Sequence, residues 1–341
     1  MTQIDFKTQL LGSAERLFDI IDSFHQARIL VAGDITLDEF VTGGVERLSR
    51  EAPVLILRHE STRQIPGGGA NAVYNIAKLG GQVKVVGLVG DDAQGLAIRR
   101  IFTEAGIDTT GLLLDRDRPT VTKSRISGHA RQSVTQQIVR VDRKSDDPPH
   151  PELQQALAAY VETQQGTVDA AVCSDYGDGV LSAPVIKAML GYARVVVDAQ
   201  LDLHRYPGAT LFTPNLPEAE TAVGYAINTP ELLKQAGDDL LALTQAKKML
   251  ITRGEEGMSL FERSGQIHIP AFNRTDVFDV TGAGDTVVAG LSLGLSVGAS
   301  PWEAIVLGNL AASLVVRQFG TATTTTAEMK TALTALLDKF R

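Results

Sequence analysis

"RILVAGD" (28–34) is the stretch that decides the fold class, because a short apolar run ends abruptly in a small residue and an acid. Such a run is typical of a parallel strand that is buried on both faces. Helical segments separate several such runs, so the sequence predicts an α/β fold with a doubly wound, mostly parallel sheet flanked by helices. Ligands bind at the carboxyl ends of strands in these sheets, which is where the runs turn polar. The other runs are VKVVGLVGDD (83–92), DAAVCSDYGDG (169–179), RVVVDAQ (194–200), ATLFTPN (209–215) and KKMLITRGEEG (247–257).

Two regions break this alternation and predict a small antiparallel sheet, called the lid below. PVLILRHES (53–61) and TVTKSRISGHARQSVTQQIVRVD (120–142) alternate apolar and polar residues, with a turn near Gly128. We expect lid strands over about 40–62 and 118–142. No predicted helix covers them, so their exposed face needs a substrate or a second subunit. A homodimer formed through the lid is therefore expected.

The same patterns give the domain organisation. Residues 1–27 are predicted to form an N-terminal helical extension, and residues 28–320 the main domain that carries the lid. Residues 321–341 are predicted to form a C-terminal helix of the same domain. A length of 341 residues suits one large α/β domain with an insertion, or about two domains.

Composition excludes several classes of protein. A net charge of −8 argues against a nucleic-acid partner, because binding to a phosphate backbone requires a basic surface. The one cysteine, Cys173, rules out an internal disulfide framework and suits a reducing compartment. The sequence has neither a signal-peptide pattern nor a long uncharged apolar run. We therefore expect a cytoplasmic protein without a membrane partner.

The segment DVTGAGDT (279–286) is the first candidate for chemistry. Gly282, Ala283 and Gly284 lack bulk, so their N–H groups can face outward together at the start of the following helix and bind an anion. Asp285 then lies beside that anion, where it can take a proton from a hydroxyl that attacks a phosphate. The alternative is a glycine-rich turn with an ordinary first-turn aspartate.

A second candidate cluster is rich in glycine. PGGGANAVYNIAKLGG (66–81) places three glycines, Gly67, Gly68 and Gly69, before Asn71 and a helix. Glycines let a ligand approach the backbone, and the Asn71 amide offers a donor and an acceptor to hydroxyl groups. A plain loop-to-helix turn is the alternative.

Asp34 and Asp38 in GDITLD (33–38) are suited to gripping sugar hydroxyls through charge-assisted hydrogen bonds. They also suit metal ligands or a helix cap. Asn215 and Glu218 in TPNLPEAE (213–220) follow another strand. Glu218 is predicted to hold a hydrated Mg²⁺ that bridges phosphates, with helix capping as the alternative.

These clusters carry a resemblance to a known family. GGGANAVYNIAKLGG (67–81) and DVTGAGDTVVAGLS (279–292) resemble the two signature segments of the ribokinase-like (PfkB) sugar kinases, and Asn215 with Glu218 matches a third family element. The resemblance extends over roughly residues 28–320. It implies a ribokinase-like kinase with a β lid that uses ATP and Mg²⁺ to phosphorylate a sugar hydroxyl.

The resemblance also implies roles for individual residues. Asp285 would be the base, and the amides of Gly282, Ala283 and Gly284 would stabilise the transferring phosphoryl group. Asp279 and Thr281 match positions where many members hold a monovalent cation, such as K⁺. The segment ITRGEEG (251–257) matches a nucleotide-binding loop, and Asn309 lies near the family's adenine site. The ATP-binding residues expected in that loop are Thr252, Arg253, Gly254 and Gly257.

Within the family, GDITLDEFVTGGVERLSREAPV (33–54) resembles the start of the bacterial D-glycero-β-D-manno-heptose-7-phosphate kinases. TVTKSRI (120–126) and IVRVD (138–142) also resemble that subfamily's lid. The resemblance implies that the anomeric hydroxyl of heptose 7-phosphate is phosphorylated. Basic lid residues would then bind the phosphate already on the sugar, with solvated strand faces as the alternative. These residues are Lys123, Arg125 and Arg140.

Departures from that subfamily leave other functions open. DAQ (198–200) stands where heptose kinases usually have Asp-Pro-Lys, so Gln200 replaces a basic residue. The sequence is also expected to be a kinase without a nucleotidyltransferase half. One alternative is a kinase of a free sugar or nucleoside, favoured if Lys123 and Arg125 point to solvent. Another is a non-catalytic sugar or nucleotide sensor.

Overall fold

The computed structural model describes residues 6–130, 134–273, 277–318 and 320–340. The strands in these residues are β1 (Arg28–Gly33), β2 (Ile35–Leu48), β3 (Leu55–Gly68), β4 (Gln82–Gly90), β5 (Asp108–Asp115), β6 (Val121–His129), β7 (Gln136–Arg143), β8 (Ala170–Asp175), β9 (Val195–Ala199), β10 (Leu211–Phe212), β11 (Lys248–Thr252), β12 (Met258–Glu262) and β13 (Gly265–Ile269). The helices are α1 (Phe6–Gly12), α2 (Ala14–Ser23), α3 (Gly69–Lys78), α4 (Ala93–Glu104), α5 (Pro151–Thr163), α6 (Ala183–Met189), α7 (Leu216–Val223), α8 (Pro230–Thr244), α9 (Ala283–Ser296), α10 (Pro301–Val315) and α11 (Thr326–Phe340).

The main sheet has nine strands in the order β13-β12-β11-β10-β9-β8-β1-β4-β5. Neighbours from β11 to β5 are parallel, whereas β12 and β13 are antiparallel additions at one edge. The predicted mostly parallel sheet is therefore confirmed. Chain order reverses beside β1, because β4 and β5 lie on one side and β8 on the other. A crevice for ligands is expected where β1 and β8 end.

Strand β1 separates two apolar layers. Ile29 and Val31 pack into the layer that contains α3, α9 and α10, whereas Leu30 and Ala32 pack into the layer of α5, α6 and α8. This burial of both faces explains why the strand lacks polar alternation. The N-terminal extension contributes Leu10 and Leu17 to the first layer, so it is part of the core. Its residues 1–5 lie outside the described residues.

The lid has four strands in the order β3-β2-β6-β7. Pairs β2–β3 and β6–β7 are antiparallel as predicted, but β2 and β6 are parallel, so the predicted all-antiparallel lid is wrong. The reason is topological. β2 follows β1 and β6 follows β5, and both leave the carboxyl edge of the main sheet in the same direction.

Two lid strands are longer than the sequence pattern indicates. β2 begins at Ile35, directly after β1, and β3 continues through Gly68 because the glycine-rich segment pairs with Ile35–Leu37. Gly128 lies within β6, paired with Gln136, rather than in the turn itself. Residues 131–133 of the predicted lid segment lie outside the described residues. In the described part of the chain, no helix is long and apolar enough to cross a membrane.

Helices α9 and α10 meet at a contact between two glycines. A Cβ atom on Gly290 would lie 3.0 Å from the Gly308 Cα, which is tighter than nine in ten real Cβ contacts. Glycine at this position therefore fixes the separation of the helix that carries Asp285 from its neighbour.

Substitution of Gly290 by valine tests this contact. Gly290→Val should lower the free energy of unfolding by roughly 1–3 kcal/mol, because the added carbons must push α10 away. Gly12→Ala is the matched control, since a Cβ there meets nothing within 4 Å and should leave stability within about 0.5 kcal/mol. Urea unfolding followed by circular dichroism measures both; equal stability of the two variants would contradict the packing argument.

Candidate active site

The start of α9 places two free amides at the edge of a cleft. Gly282 precedes the helix with a φ of +78°, a left-handed conformation that glycine adopts without strain. The N–H groups of Gly282 and Gly284 have no acceptor among the described residues, which leaves them available to an anion. The Ala283 N–H instead donates to the Val280 carbonyl at 3.1 Å. The prediction that all three amides face outward together is therefore wrong for Ala283.

Asp285 is buried in the first turn of α9 and is held from two sides. The Asn71 side-chain amide donates to Oδ2 at 2.7 Å, and the Tyr176 hydroxyl donates to Oδ1 at 2.9 Å. Burial raises the pKa of Asp285 to about 6, although these two hydrogen bonds act in the opposite direction. A carboxyl group with such a pKa is largely ionised at pH 7 and accepts a proton readily.

Asn71 in turn is fixed by its neighbours. The Asn75 amide donates to both the backbone and the side-chain oxygen of Asn71 at 3.0 Å. A Cβ on Gly282 would lie 2.6 Å from the Asn71 Nδ2. A larger residue at 282 would therefore displace the group that holds Asp285.

The glycines at the end of β3 have protein neighbours at close range. A Cβ on Gly67 would meet the Asp38 carboxylate at 2.4 Å, Gly68 lies against Thr36, and Gly69 lies against the Asp34 backbone. These glycines allow α3 to begin tightly against β1 and β2. Contact of Gly67, Gly68 and Gly69 with a substrate stays a prediction.

Asp34 has a structural role at the end of β1. It is 1% exposed, and its two oxygens accept the backbone N–H groups of Tyr176 (2.8 Å), Asp178 (3.0 Å) and Val180 (3.0 Å). Burial, followed by the nearby Asp175, raises its pKa to about 6 against these hydrogen bonds. The Asp34 carboxylate thus holds the loop after β8, and its contact with a sugar hydroxyl stays a prediction.

The basic residues of the lid differ in where they point. Arg125 forms an ion pair with the buried Asp38, and the Lys123 ammonium lies 5.7 Å from the centre of the Tyr176 ring. Both side chains therefore face the cleft that contains Asp285. Arg140 is half-exposed and pairs with Asp142 on its own strand.

A cavity of about 170 Å³ lies next to Asp285. Asp198 and Glu218 also line it, together with Gln200, Gly282 and Gly284. Burial raises the pKa of Asp198 to about 8, and the charges of Asp285 and Glu218 add to that rise. With Asp175, four acidic residues therefore line this one small cavity. Across the described ranges, no three acidic, His or Cys side chains lie close enough to bind one metal ion directly.

Asn215 and Glu218 also form the predicted helix cap. The Asn215 side chain accepts the Glu218 N–H, and the Glu218 Oε2 accepts the Asn215 N–H, both at 2.9 Å. Burial raises the pKa of Glu218, and the hydrogen bonds with Asn215 lower it. The capping alternative is therefore realised, and it fixes the Glu218 carboxylate at the wall of the acidic cavity.

A second cavity, of about 450 Å³, adjoins the first. Its lining is largely apolar and includes Thr252, Gly254, Gly257 and Asn309, all predicted to bind nucleotide. Asn309 donates from its side-chain amide to the Pro270 carbonyl at 2.8 Å. Gly254 and Gly257 both have positive φ angles, so the loop between β11 and β12 turns tightly around the cavity.

Arg253 does not join this lining. Its side chain pairs with Glu256 and borders a different cavity, on the side of the loop that faces α8. Contact of Arg253 with ATP stays a prediction, and its side chain lies on the α8 side of the loop.

Asp279 and Thr281 organise the loop before α9. The Asp279 carboxylate accepts both the backbone N–H and the hydroxyl of Thr281, and it accepts the Gly320 N–H at 2.9 Å. Burial raises the pKa of Asp279, but the hydrogen bonds from Thr281 and Gly320 outweigh burial and bring it below its usual value.

Most of the chain matches one family of known proteins. The sequence pattern of the pfkB family carbohydrate kinases matches residues 27–328, which is most of the chain. The chain belongs to the pfkB family of carbohydrate kinases. It is therefore a sugar kinase, as the sequence predicted.

Curated relatives of this pfkB kinase include two bacterial proteins named bifunctional protein HldE. That of Pelobacter propionicus is 41% identical over 317 residues, which cover 91% of this chain and 64% of the relative. That of Geobacter metallireducens is 41% identical over 307 residues, which cover 88% of this chain and 61% of the relative. The chain thus spans less than two thirds of the length of these relatives.

Solved structures share the fold of this pfkB kinase at low sequence identity. Ribokinase from Arabidopsis thaliana, complexed with ribose and ATP, aligns with a TM-score of 0.69 at 20% identity over 91% of this chain and 98% of its own. Phosphofructokinase-2 from Escherichia coli, in complex with potassium, aligns with a TM-score of 0.73 at 18% identity over 91% and 99%. The predicted ribokinase-like fold is confirmed.

The sequence motifs did not indicate two residues that line the site of this pfkB kinase. Tyr176 and Asp198 both follow strands of the main sheet, in DAAVCSDYGDG and RVVVDAQ, where polar residues are expected to meet ligands. The polar residues at the strand ends indicate where a ligand can bind, but the pattern does not indicate which of them line the site. Only the structure brings Tyr176 to Asp285 and Asp198 to Glu218.

The hydrogen bond from Tyr176 should be visible in the titration of Asp285. The Asp285 carboxyl should titrate near pH 6 in the wild type. In Tyr176→Phe it should titrate about half to one pH unit higher, because a donor that stabilises the carboxylate has been lost. Carbon-13 chemical shifts of labelled aspartates, assigned with Asp285→Asn, measure this. Tyr225→Phe removes another hydrogen bond from a tyrosine to a carboxylate, that of Asp239, and should leave the titration of Asp285 unchanged. An equal shift of the Asp285 titration in both variants would contradict the assignment.

Proposed function

We propose that the chain transfers the γ-phosphoryl group of ATP to a hydroxyl of a sugar phosphate, and that heptose 7-phosphate is the acceptor, at its anomeric hydroxyl. Membership in the carbohydrate kinases gives the reaction class. The bacterial HldE relatives and the resemblance to heptose-7-phosphate kinases support the choice of sugar. The site residues support the mechanism.

The observation that carries the proposal is the way the two cavities join. Thr252 and Gly284 line both the 450 Å³ cavity and the 170 Å³ cavity, and Asp285 lines the smaller one. A nucleotide base in the larger, largely apolar cavity would direct its phosphates past the Gly282 and Gly284 amides. The γ-phosphoryl group would then reach Asp285.

The transfer follows from these positions. Asp285 takes the proton of the acceptor hydroxyl as its oxygen attacks the γ-phosphorus, and the bond from that phosphorus to the bridging oxygen of ADP breaks. The amides of Gly282 and Gly284 donate to the phosphoryl oxygens as their charge develops. Asn71 and Tyr176 keep the Asp285 carboxylate oriented throughout.

The acidic cavity fits a hydrated Mg²⁺. Glu218 and Asp285 bring negative charge to a space that must also receive phosphates, Asp198 would add to it once a cation favours its ionised form, and Gln200 supplies no compensating cation. Mg²⁺ usually keeps several waters and binds through one or two carboxylates plus substrate phosphates. Glu218 would hold it through water. When bound, the ion would neutralise the phosphate charge.

A monovalent cation such as K⁺ is proposed at the loop of Asp279 and Thr281. The Asp279 carboxylate stays charged and fixes the loop through three hydrogen bonds. A cation beside this loop would hold the free amides of Gly282 and Gly284 in place.

The direction of Lys123 and Arg125 favours a phosphorylated acceptor over a free sugar or nucleoside. Both face the cleft instead of solvent. The sensor alternative, which Gln200 left open, is disfavoured by the family membership and by the buried, correctly held Asp285.

A homodimer through the lid also stays a proposal. Val139 and Val141 of β7 are about half exposed, as are Leu48 and Leu55 at the far end of the lid. A second copy would cover these apolar side chains. Light scattering at micromolar concentration should give twice the chain mass, and a monomer mass would refute this. The cytoplasmic location and the domain limits at residues 27 and 320 likewise stay predictions.

Loss of the proposed base should abolish transfer and spare nucleotide binding. Asp285→Asn should lower kcat roughly 10²- to 10⁴-fold with heptose 7-phosphate, because general base catalysis contributes about that factor. Wild-type kcat should rise with pH through about 6, since Asp285 must lose its proton to act. Coupled ADP detection measures turnover, and calorimetry measures ATP binding.

Asp238→Asn removes an exposed carboxylate of α8 and is the control for that experiment. Its turnover should match the wild type. Near-normal turnover in Asp285→Asn would overturn the base assignment. Turnover of free sugars but not of sugar phosphates would overturn the proposed acceptor.

A charge-neutral change at Glu218 tests the magnesium role. Glu218→Gln keeps an oxygen that can accept the Asn215 N–H but removes the charge, so the Mg²⁺ concentration for half-maximal activity should rise roughly tenfold. Glu303→Gln makes the same change in the equivalent cap of α10, with Ser300, and should leave Mg²⁺ dependence unaltered. Identical magnesium curves for both variants would contradict the role.

A further inference from the structure

A line of basic and aromatic side chains crosses the lid from edge to edge. The strand pairing sets Arg63 of β3 opposite Phe40 of β2, Phe40 opposite Arg125 of β6, and Arg125 opposite Arg140 of β7. Residues directly opposite one another in neighbouring strands share a face of the sheet. These four side chains therefore form one row, called the Arg63–Arg140 row below.

The row lies on the cleft face of the lid. Asp38 and Lys123 are two residues before Phe40 and Arg125 in their strands, so they share this face, and they contact Arg125 and Tyr176. The segment after α10 also meets the row, since a Cβ on Gly320 would lie 3.3 Å from the Arg63 Nη2 and 3.4 Å from Phe40. Gly320 in turn donates to Asp279, four residues before Asp285's helix begins.

Phe40 holds two guanidinium groups on either side of its ring. The Arg63 guanidinium carbon lies 5.2 Å from the ring centre, and that of Arg125 lies 5.3 Å from it. Cation–π attraction at these distances restricts both side chains before any ligand arrives. Two oriented guanidiniums around one ring match the several acceptor oxygens of a phosphate.

Arg63 differs from the other arginines of the row in its charge balance. Arg125 is paired with Asp38 and Arg140 with Asp142. Arg63 has no acidic partner within ion-pair distance among the described residues, and its guanidinium lies over the Phe40 ring. Its positive charge is thus uncompensated on a face that a sugar substrate must approach.

We infer that Arg63, together with Arg125 across Phe40, binds the phosphate group that the acceptor already carries, and that Arg63 determines the preference for a phosphorylated sugar over a free one. This inference rests on the proposed function, because it assigns a residue to the acceptor's phosphate. It adds a strand of the lid, β3, to the basic residues of β6 and β7 that the sequence indicated.

The phosphates of ATP are the other phosphate groups that these guanidinium groups could bind. None of the four residues of the row lines the 450 Å³ or the 170 Å³ cavity, and those cavities are built from the main domain alone. Lys123, on the same face as the row, lies over the ring of Tyr176, whose hydroxyl donates to Asp285. The acceptor's phosphate is therefore the occupant that the geometry favours.

The test compares one sugar with and without its phosphate. In Arg63→Ala, kcat/KM for heptose 7-phosphate should fall roughly 10- to 100-fold, mainly through KM, as expected for loss of a charge-assisted hydrogen bond. The KM for ATP should stay within about twofold, and kcat/KM for unphosphorylated heptose should not fall. Arg63→Lys should recover part of the loss. Calorimetry with heptose 7-phosphate in the absence of nucleotide should show the same loss of affinity.

Arg58→Ala is the matched control. Arg58 lies on the same strand, but its side chain is exposed and pairs with Glu46, so its loss should leave every constant within about twofold. Thermal unfolding confirms that the variants fold. An unchanged KM for heptose 7-phosphate in Arg63→Ala overturns the inference while the proposed function stands. A raised KM for ATP instead assigns Arg63 to the nucleotide and also overturns it.

If the wild type fails to phosphorylate heptose 7-phosphate, the proposed function fails separately. The inference is then tested by calorimetry of fructose 6-phosphate and ribose 5-phosphate against the free sugars. Tighter binding of the phosphorylated forms, lost in Arg63→Ala, would support it. Equal binding of phosphorylated and free sugars would overturn it.

Discussion

The orientation of one buried carboxylate depends on three separate segments of the chain. Asp285 receives one hydrogen bond from α3 through Asn71 and one from the loop after β8 through Tyr176, while α9 supplies the residue itself. Burial alone would favour the protonated acid, and the two donors offset that preference. The main sheet is what brings these segments together, because β1 and β8 end side by side where chain order reverses.

The lid is tied to this centre at its base as well as by its side chains. β2 continues directly from β1, and the last residues of β3 lead without a break into α3, which carries Asn71. The base of the lid is therefore continuous with both walls of the cleft. The parallel pairing of β2 with β6 has the same origin, since both strands rise from one edge of the main sheet.

The sequence was most informative where a pattern is local. Apolar runs that end in Gly, Asp or Asn predicted the parallel sheet, and the two glycine-rich segments alone indicated the family. Asp285 beside an anion site could be predicted in the same way, because the glycines and the acid are contiguous. Parallel pairing within the lid could not, since it depends on where two distant segments leave the main sheet.

Long-range contacts determine what individual residues do in the structure. The sequence pattern of Asp34 suits a sugar ligand as well as it suits a backbone acceptor, and only the structure shows that Asp34 holds residues 176–180. Arg253 adjoins Thr252 and Gly254, which line the 450 Å³ cavity, yet the Arg253 side chain lines a different one. Nothing in the sequence around Tyr176 indicates its hydrogen bond with Asp285, which lies 109 positions away.

The commitment of Asp34 to the backbone of residues 176–180 has a consequence for how this enzyme tolerates change. The carboxylate anchors the loop from which the Tyr176 hydroxyl donates to Asp285. A side chain at the end of the first strand is thereby a remote support of a buried residue at the start of α9. A substitution at Asp34 would disturb the setting of Asp285 while leaving every residue that lines the two cavities unchanged.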